Sequence, residues 1–351
     1  MVNHRHRSRR GAPVGSPSRI EEVHVTSIAA GGDGVARVDG LAAFIPRTAP
    51  GDVAEASLVT HGRFARGHLV QLTKPSPHRV TPLCHHYVED NCGGCQLQHL
   101  SISAQLDAKA HIVRDSLSRI GKRIIELPVV EPAPSAWDYR QKLTLTLFRN
   151  SATRRWIGGL HPLGAPDVVF SLDECRIAVP ALVAAWHSVR EVSALLPEGS
   201  ELRVTFRLIP GSDRVALTVA GGNTWNQWQA FSQKLPMLGA LWWIPAVGER
   251  VELVAPASAD QHTAANFVQV NAAVARIMHD HVVGRVMQFH PTRVVDAYSG
   301  TGNLALSLAQ RGVHVSAIEW DEAAVSLLRT RLPEGSAAFA APVEDVIERV
   351  M

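Results

Sequence analysis

The chain has 351 residues, long enough for two or three domains, each with a core of its own. Hydrophobic residues make up 46% and charged residues 19%, which excludes a chain disordered throughout, and no apolar run reaches the roughly 18 to 20 residues of a membrane helix. The net charge is only +3, and Arg5, Arg7, Arg9, Arg10 and Arg19 together exceed it, so everything after residue 19 is slightly acidic.

Residues 1–19 are rich in Gly, Pro and Ser, and no apolar stretch follows their charges. They read as a basic disordered tail rather than a secretion signal, either attracting nucleic acid in a salt-dependent way or simply solvated. A cytoplasmic protein with no membrane association is expected.

Five β-prone runs follow: Val23–Ile28, Gly34–Val38, Leu41–Ile45, Val53–Val59 and Phe64–Leu72. Turn sequences separate them (GGDG at 31–34, Asp39-Gly40, Pro50-Gly51-Asp52), so residues 20–76 are expected to form a small antiparallel, OB-like barrel. Barrels of this kind often bind nucleic acid, and His61, Arg63, Arg66 and Lys74 lie on or beside the last hairpin; the alternative is a solvated edge. A Cys-rich loop at 84–99 leads to a helical pattern over Ile102–Ile120, closed by Gly121. Strand-like runs then dominate: Lys142–Phe148, Arg155–Leu160, Leu202–Ile209, Arg214–Ala220, Leu241–Ile244 and Val251–Leu253, with helical stretches near 180–195 and 226–235. Residues 77–265 are therefore expected to form a β-rich central domain.

From residue 266 strands and helices alternate. The expected order is helix Val270–Val283, strand Arg293–Tyr298, helix Asn303–Arg311, strand His314–Glu319, helix Asp321–Arg331, strand Ala337–Ala341 and a helix starting at Val343. Such alternation predicts a Rossmann-like, doubly wound parallel sheet.

Two motifs carry chemistry. Cys84, Cys92 and Cys95 cluster and Cys175 follows eighty residues later, a pattern that favours metal over disulfides in a cytoplasmic chain. From spacing alone an iron–sulfur cluster, a zinc ion and no metal all stay open. The second motif is Asp296-Ala297-Tyr298-Ser299-Gly300-Thr301-Gly302-Asn303, an apolar strand entering a glycine loop at a helix start, with Glu319 ending the next strand. An acid there can bind ribose hydroxyls, which suits NAD or S-adenosylmethionine; an ordinary tight turn is the plain alternative.

CHHYVEDNCGGCQLQH (84–99), YRQKLTLTL (139–147), DEC (173–175), FVQVN (267–271) and DAYSGTGN (296–303), in this order behind a barrel, resemble the TRAM-containing RNA uracil-5-methyltransferases across about residues 21 to 347. The resemblance implies a TRAM barrel, an iron–sulfur central domain and an α/β methyltransferase domain. It also implies a [4Fe-4S] cluster on Cys84, Cys92, Cys95 and Cys175, and S-adenosylmethionine held by Gln269, Tyr298, Gly300, Asn303 and Glu319. Trp320 would either pack on the adenine or serve as a core tryptophan. Tyr139-Arg140-Gln141-Lys142 would face RNA or play a structural part. RNA is the expected partner, ribosomal RNA ahead of transfer RNA, and the protein is expected to be a monomer.

The pattern departs from that family in one respect. Its members add a cysteine thiolate to uracil C6 and remove the C5 proton with a glutamate, both from the second half of the sheet. No fifth cysteine occurs here, so no catalytic residue is assigned, and the nucleophile and base are expected C-terminal to Met351. Residues 266–351 would supply only the first half of the methyltransferase domain, leaving its first strand as an apolar edge, and Pro342 stands where an acid or amide for the adenine is often found. Two other readings are a non-catalytic RNA-binding iron–sulfur protein and an NAD-dependent enzyme using Gly300–Ala305.

Overall fold

The computed structural model describes residues 19–150, 153, 155–256 and 269–351. The expected basic tail, apart from Arg19, lies outside the described residues, as do Phe267 and Val268 of FVQVN. The chain divides into two compact units, one comprising residues up to 132 together with 161–168, the other comprising 133–160 and 169–351.

In the first unit, β1 (Arg19–His24), β2 (Ser27–Ile28), β3 (Gly34–Val38), β4 (Leu41–Ile45), β5 (Val53–His61) and β6 (Phe64–Lys74) pair in the order β1-β5-β6-β4-β3-β2. The two ends of that order are consecutive in the chain. At the break, Val25 N–H bonds Asp52 and Thr26 N–H bonds Val35, so one interrupted strand closes the sheet on itself. The barrel is not wholly antiparallel: Ala42–Phe44 runs parallel to Phe64–Arg66. Alternation turns Val23, Ala36, Ala43, Ile45, Ala54, Ala56, Leu58 and Ala65 inward.

The packing does not divide where the barrel ends. Asp52 is fully buried and takes the forked guanidinium of Arg79 on both oxygens (2.7 and 2.8 Å), plus the backbone N–H groups of Ala49 (2.6 Å) and Ser76 (2.8 Å). A helix, Ile102–Arg119, follows, capped by the Ser101 hydroxyl, and its Ala108 packs with Ile28, Ala49 and Leu100.

The second unit holds a seven-stranded sheet of β7 (Lys142–Arg149), β8 (Trp156–Leu160), β9 (Phe170–Ser171), β10 (Glu201–Leu208), β11 (Val215–Ala220), β12 (Leu238–Ile244) and β13 (Val251–Val254), in the order β13-β12-β11-β10-β7-β8-β9. All neighbours are antiparallel except β11 and β12, which the helix Trp228–Gln233 links by a crossover. Helix Pro180–Glu191 covers one face, where Leu143, Leu145, Leu147, Leu202, Val204 and Phe206 meet Trp186.

The same unit contains a three-stranded parallel sheet, β14 (Arg293–Ala297), β15 (His314–Glu319) and β16 (Ala337–Ala340), in chain order. One face (Val294, Val315, Ala317, Ala338) packs with Val283 of helix Ala272–Met287 and with helices Asn303–Ala309 and Glu322–Arg329. The other (Val295, Ile318, Phe339) packs with helix Val343–Val350. β14 is an edge strand among the described residues, as the sequence implies, but Val343–Val350 shields its Val295 side.

Candidate cofactor and metal sites

The glycine loop leaves the carboxyl end of β14, where open α/β sheets place their ligands. Tyr298 has φ +62°, a left-handed conformation that costs a non-glycine residue about 1–2 kcal/mol and that Asp39, Arg47, Asn91, Lys122, Asp138 and His290 also adopt. The loop is pinned to the neighbouring strand: Ser299 N–H donates to the Ile318 carbonyl (3.0 Å) and Gly300 N–H to Glu319 Oε2 (2.8 Å). The other oxygen, Glu319 Oε1, accepts from Asp321 N–H at 3.0 Å, and Asp321 in turn caps helix Glu322–Arg329. One acidic side chain thus joins the loop to the next helix start.

The two glycines serve different ends. Gly302, at φ +79°, sits where a Cβ would lie 2.2 Å from Leu328, so it allows helix and loop to pack. Gly300, at φ +56°, would present its Cβ to open space, leaving room for a ligand against the backbone. Tyr298 and Trp320 flank the loop at 75% and 74% exposure, which removes the core reading of Trp320. Beneath them, Asp296 Oδ2 and Ser299 Oγ are buried without a hydrogen-bond partner. Burial raises the Asp296 carboxyl above its ordinary range, against a bond from Ala305 N–H.

Asn303 is the exposed first residue of its helix, and Gln269 is exposed just before helix Ala272–Met287, which Asn271 caps through Val274 N–H. The YRQK segment is a structural hub: Arg140 bridges both Ala178 and Asn271, Gln141 N–H donates to Val270 and the Gln141 carbonyl accepts from Leu208. Pro342 precedes helix Val343–Val350, while Ala341 N–H reaches the Glu319 carbonyl.

In the first unit Cys84 and Cys92 are buried and Cys95 is half-buried; Cys175, in the second unit, is half-buried, and none of the four forms a disulfide. Cys84 precedes a single helical turn, His85–Val88, and Cys92 N–H closes back onto the His86 carbonyl at 2.9 Å. Gly94 N–H points at Cys92 Sγ from 3.4 Å, the kind of donor that stabilises a thiolate bound to metal. The three thiols on this loop are soft donors, the residue type that soft metals and iron–sulfur clusters take.

Sequence reasoning missed what holds this loop. Arg47 lies 3.8 Å over the Tyr87 ring and donates to the carbonyls of Tyr87 and Cys92. Tyr87 and His99 are joined at 2.7 Å, and His99 Nε2 donates to the Thr48 carbonyl at 3.1 Å, which assigns the His99 proton to Nε2. Burial lowers His99 and pushes the Tyr87 phenol up to about 12, so both stay neutral around pH 7. Residues 161–163, from the β8–β9 connection, pair with 91–93 and close the loop's other side. Near it, donor atoms of His85, His86 and Asp90 lie within 4.8 Å of one another, with His86 Nδ1 and Asp90 Oδ2 2.6 Å apart; the adjacent HH with an acid four residues on was the available signal.

The 23S rRNA (uracil(1939)-C(5))-methyltransferase RlmD of Halomonas elongata is 31% identical over an alignment of 362 residues, covering 95% of this chain and 72% of that protein. The chain belongs to the RNA uracil-C5 methyltransferase family. RlmD of Dechloromonas aromatica is 29% identical, with 83% of this chain and 71% of that protein covered. The crystal structure of Pyrococcus abyssi tRNA (uracil-54, C5)-methyltransferase in complex with S-adenosyl-L-homocysteine superposes with a TM-score of 0.64 over 92% of this chain and 80% of that one; at 18% identity it speaks for the fold alone. No family model matches the chain. Among the described residues no helix is long and apolar enough to cross a membrane.

Proposed function

We propose that the protein acts in the cytoplasm in S-adenosylmethionine-dependent methylation of uracil C5 in RNA, with 23S ribosomal RNA as substrate; the name of the Halomonas elongata relative gives that RNA and that ring position for that protein. The observation that carries this reading is the glycine loop pinned by Glu319 at the carboxyl ends of β14 and β15, with two exposed aromatic side chains beside it and two buried polar atoms unpartnered beneath it. Gln269, Tyr298, Gly300, Asn303 and Glu319 would hold S-adenosylmethionine, which supplies an electrophilic methyl group. The Glu319 carboxylate keeps the loop in shape and retains lone pairs for ribose hydroxyls.

Cys84, Cys92, Cys95 and Cys175 would hold a [4Fe-4S] cluster, a soft centre that ties sequence-distant segments together. The barrel would be a TRAM module contacting RNA. On its last hairpin His61 stacks on Phe64 with ring centroids 5.6 Å apart, and Arg66, which also lies near that ring, stands 3.7 Å from Asp33. On this reading no attacking cysteine is assigned among these 351 residues, since all four cysteines are given to the cluster, and no glutamate is assigned as the base. Methyl-labelled S-adenosylmethionine and 23S rRNA are the substrates for the test, with nucleosides analysed by mass spectrometry. The chain extended by the second half of the sheet is expected to form 5-methyluridine and the 351-residue chain none; an extended chain that labels RNA elsewhere, or not at all, defeats the assignment.

A further inference from the structure

Alternation along β7 puts Lys142, Thr144 and Thr146 on the face opposite the buried Leu143, Leu145 and Leu147. Strand β10 answers in register: Arg207 stands across from Lys142, Thr205 from Thr144 and Arg203 from Thr146. The Thr144 and Thr205 hydroxyls are 3.1 Å apart. Arg140 folds back onto the same corner, its Nε donating to the Lys142 carbonyl at 3.0 Å. Four cations therefore share one region of a sheet face, two of them directly opposed across the ladder, where like charges destabilise the pairing.

Arg207 is only 9% exposed, and among the described residues no hydrogen bond or ion pair reaches its guanidinium. Burial draws the Arg207 guanidinium below its ordinary range; burial and then the charges of Arg207, Arg203 and Arg140 do the same to Lys142, with no acid among the described residues acting against them. A largely buried cation with no counter-charge beside it among the described residues weakens the folded state, and a bound anion would offset that cost. Arg207 and Arg203 lie four residues apart on one strand, about 13 Å, with neutral threonine donors between them. A line of separated charges suits a polyanion better than a small ion, and arginine forks match phosphate oxygens.

We propose that the Lys142–Arg207 corner, continued along the sheet by Arg203, binds successive backbone phosphates of single-stranded RNA. This rests on the RNA-directed function above and names a binding surface for it. Phosphate contacts position RNA without reading its sequence, so the site would serve register rather than choice of uridine.

The test compares wild-type protein with Arg207→Met, which keeps volume and removes charge, and with Lys142→Met as a second variant. Affinity for a uridine-containing single-stranded RNA is followed by fluorescence anisotropy across a salt series, and melting is followed with and without inorganic phosphate. The expected result is about tenfold weaker RNA binding by Arg207→Met, a log–log salt slope shallower by about 0.7, and a melting temperature without RNA equal to or above wild type. Lys142→Met is expected to move the same way. Unchanged RNA affinity and slope in both variants would overturn the proposal, as would a lower melting temperature of Arg207→Met with RNA binding intact. Phosphate that stabilises the wild type alone, with RNA affinity equal in all three proteins, would make this a small-anion site and overturn it too. Wild-type protein that binds no RNA would instead bring down the functional reading on which the proposal rests.

Discussion

The cysteine loop and the glycine loop differ in what they turn to solvent, since each holds two buried polar atoms without a partner (Arg47 Nε and Gln98 Oε1; Asp296 Oδ2 and Ser299 Oγ) and each contains left-handed non-glycine backbone (Arg47 and Asn91; Tyr298). Around the cysteines, Arg47 serves two carbonyls and an aromatic ring, His99 and Tyr87 share a bond, and Asp52 accepts from Arg79 and two backbone N–H groups. At the glycine loop two large aromatic side chains, Tyr298 and Trp320, face solvent beside the open Gly300 backbone. The first region is built as a rigid mount. The second leaves aromatic surface and open backbone exposed, an arrangement that suits the exchanging ligand proposed for it.

The largest test of the contrast is all-or-none. On the proposed cluster, Cys92→Ser and Cys175→Ser are each expected to strip the iron that anaerobically purified wild type would carry, read by metal analysis and loss of the brown colour; wild type without iron, or full iron content in either variant, breaks the mount reading. Next in size is Asp52→Ala, which leaves Arg79 buried and unpaired and is expected to cost about 3–5 kcal/mol in urea unfolding. Burial alone would raise the Asp52 carboxyl, but the Arg79 fork and the bonds from Ala49 and Ser76 outweigh it and hold the group below its ordinary range. Its stabilisation is therefore complete above the unfolded value near about pH 4 and disappears as pH falls through the folded one.

A smaller effect is expected at the second region. Glu319→Gln keeps the size of the side chain but loses charge at the Gly300 pin, and S-adenosylhomocysteine affinity by calorimetry should fall about tenfold with little change in melting. Smallest is Asp296→Asn. Because burial raises this carboxyl, its contribution has the opposite sign to Asp52: it favours the folded state at low pH and loses that advantage as pH rises through the folded value. At neutral pH the variant should melt at or above the wild-type temperature while binding the nucleoside less tightly. A clear destabilisation would show that Asp296 belongs to the mount, not the site.

Much of this was legible in the sequence, for identifiable reasons. Period-two runs broken by Gly and Pro mark five runs where the barrel has six strands, the run Val23–Ile28 joining the end of Arg19–His24 to Ser27–Ile28, while His314–Glu319 matches to the residue because hydrophobic alternation and the acid at its end bound it on both sides. The two-residue strand Phe170–Ser171 was invisible, since nothing so short has a period. The parallel β4–β6 pair was missed because a local turn signal predicts only antiparallel neighbours. At the sites, cysteine and glycine spacing announced themselves. Arg47, Arg79 and Arg207 did not, since an arginine in a strand or loop looks the same in sequence whether solvated, holding a carboxylate or buried alone.

In the proposed function the glycine loop is a nucleoside site for a methyl donor. Isothermal titration of the purified chain with S-adenosylhomocysteine and, separately, with NAD tests that most directly. One S-adenosylhomocysteine per chain with quenching of Trp320 fluorescence, and no heat with NAD, is the predicted result. Binding of NAD in its place, or of neither ligand, would contradict it.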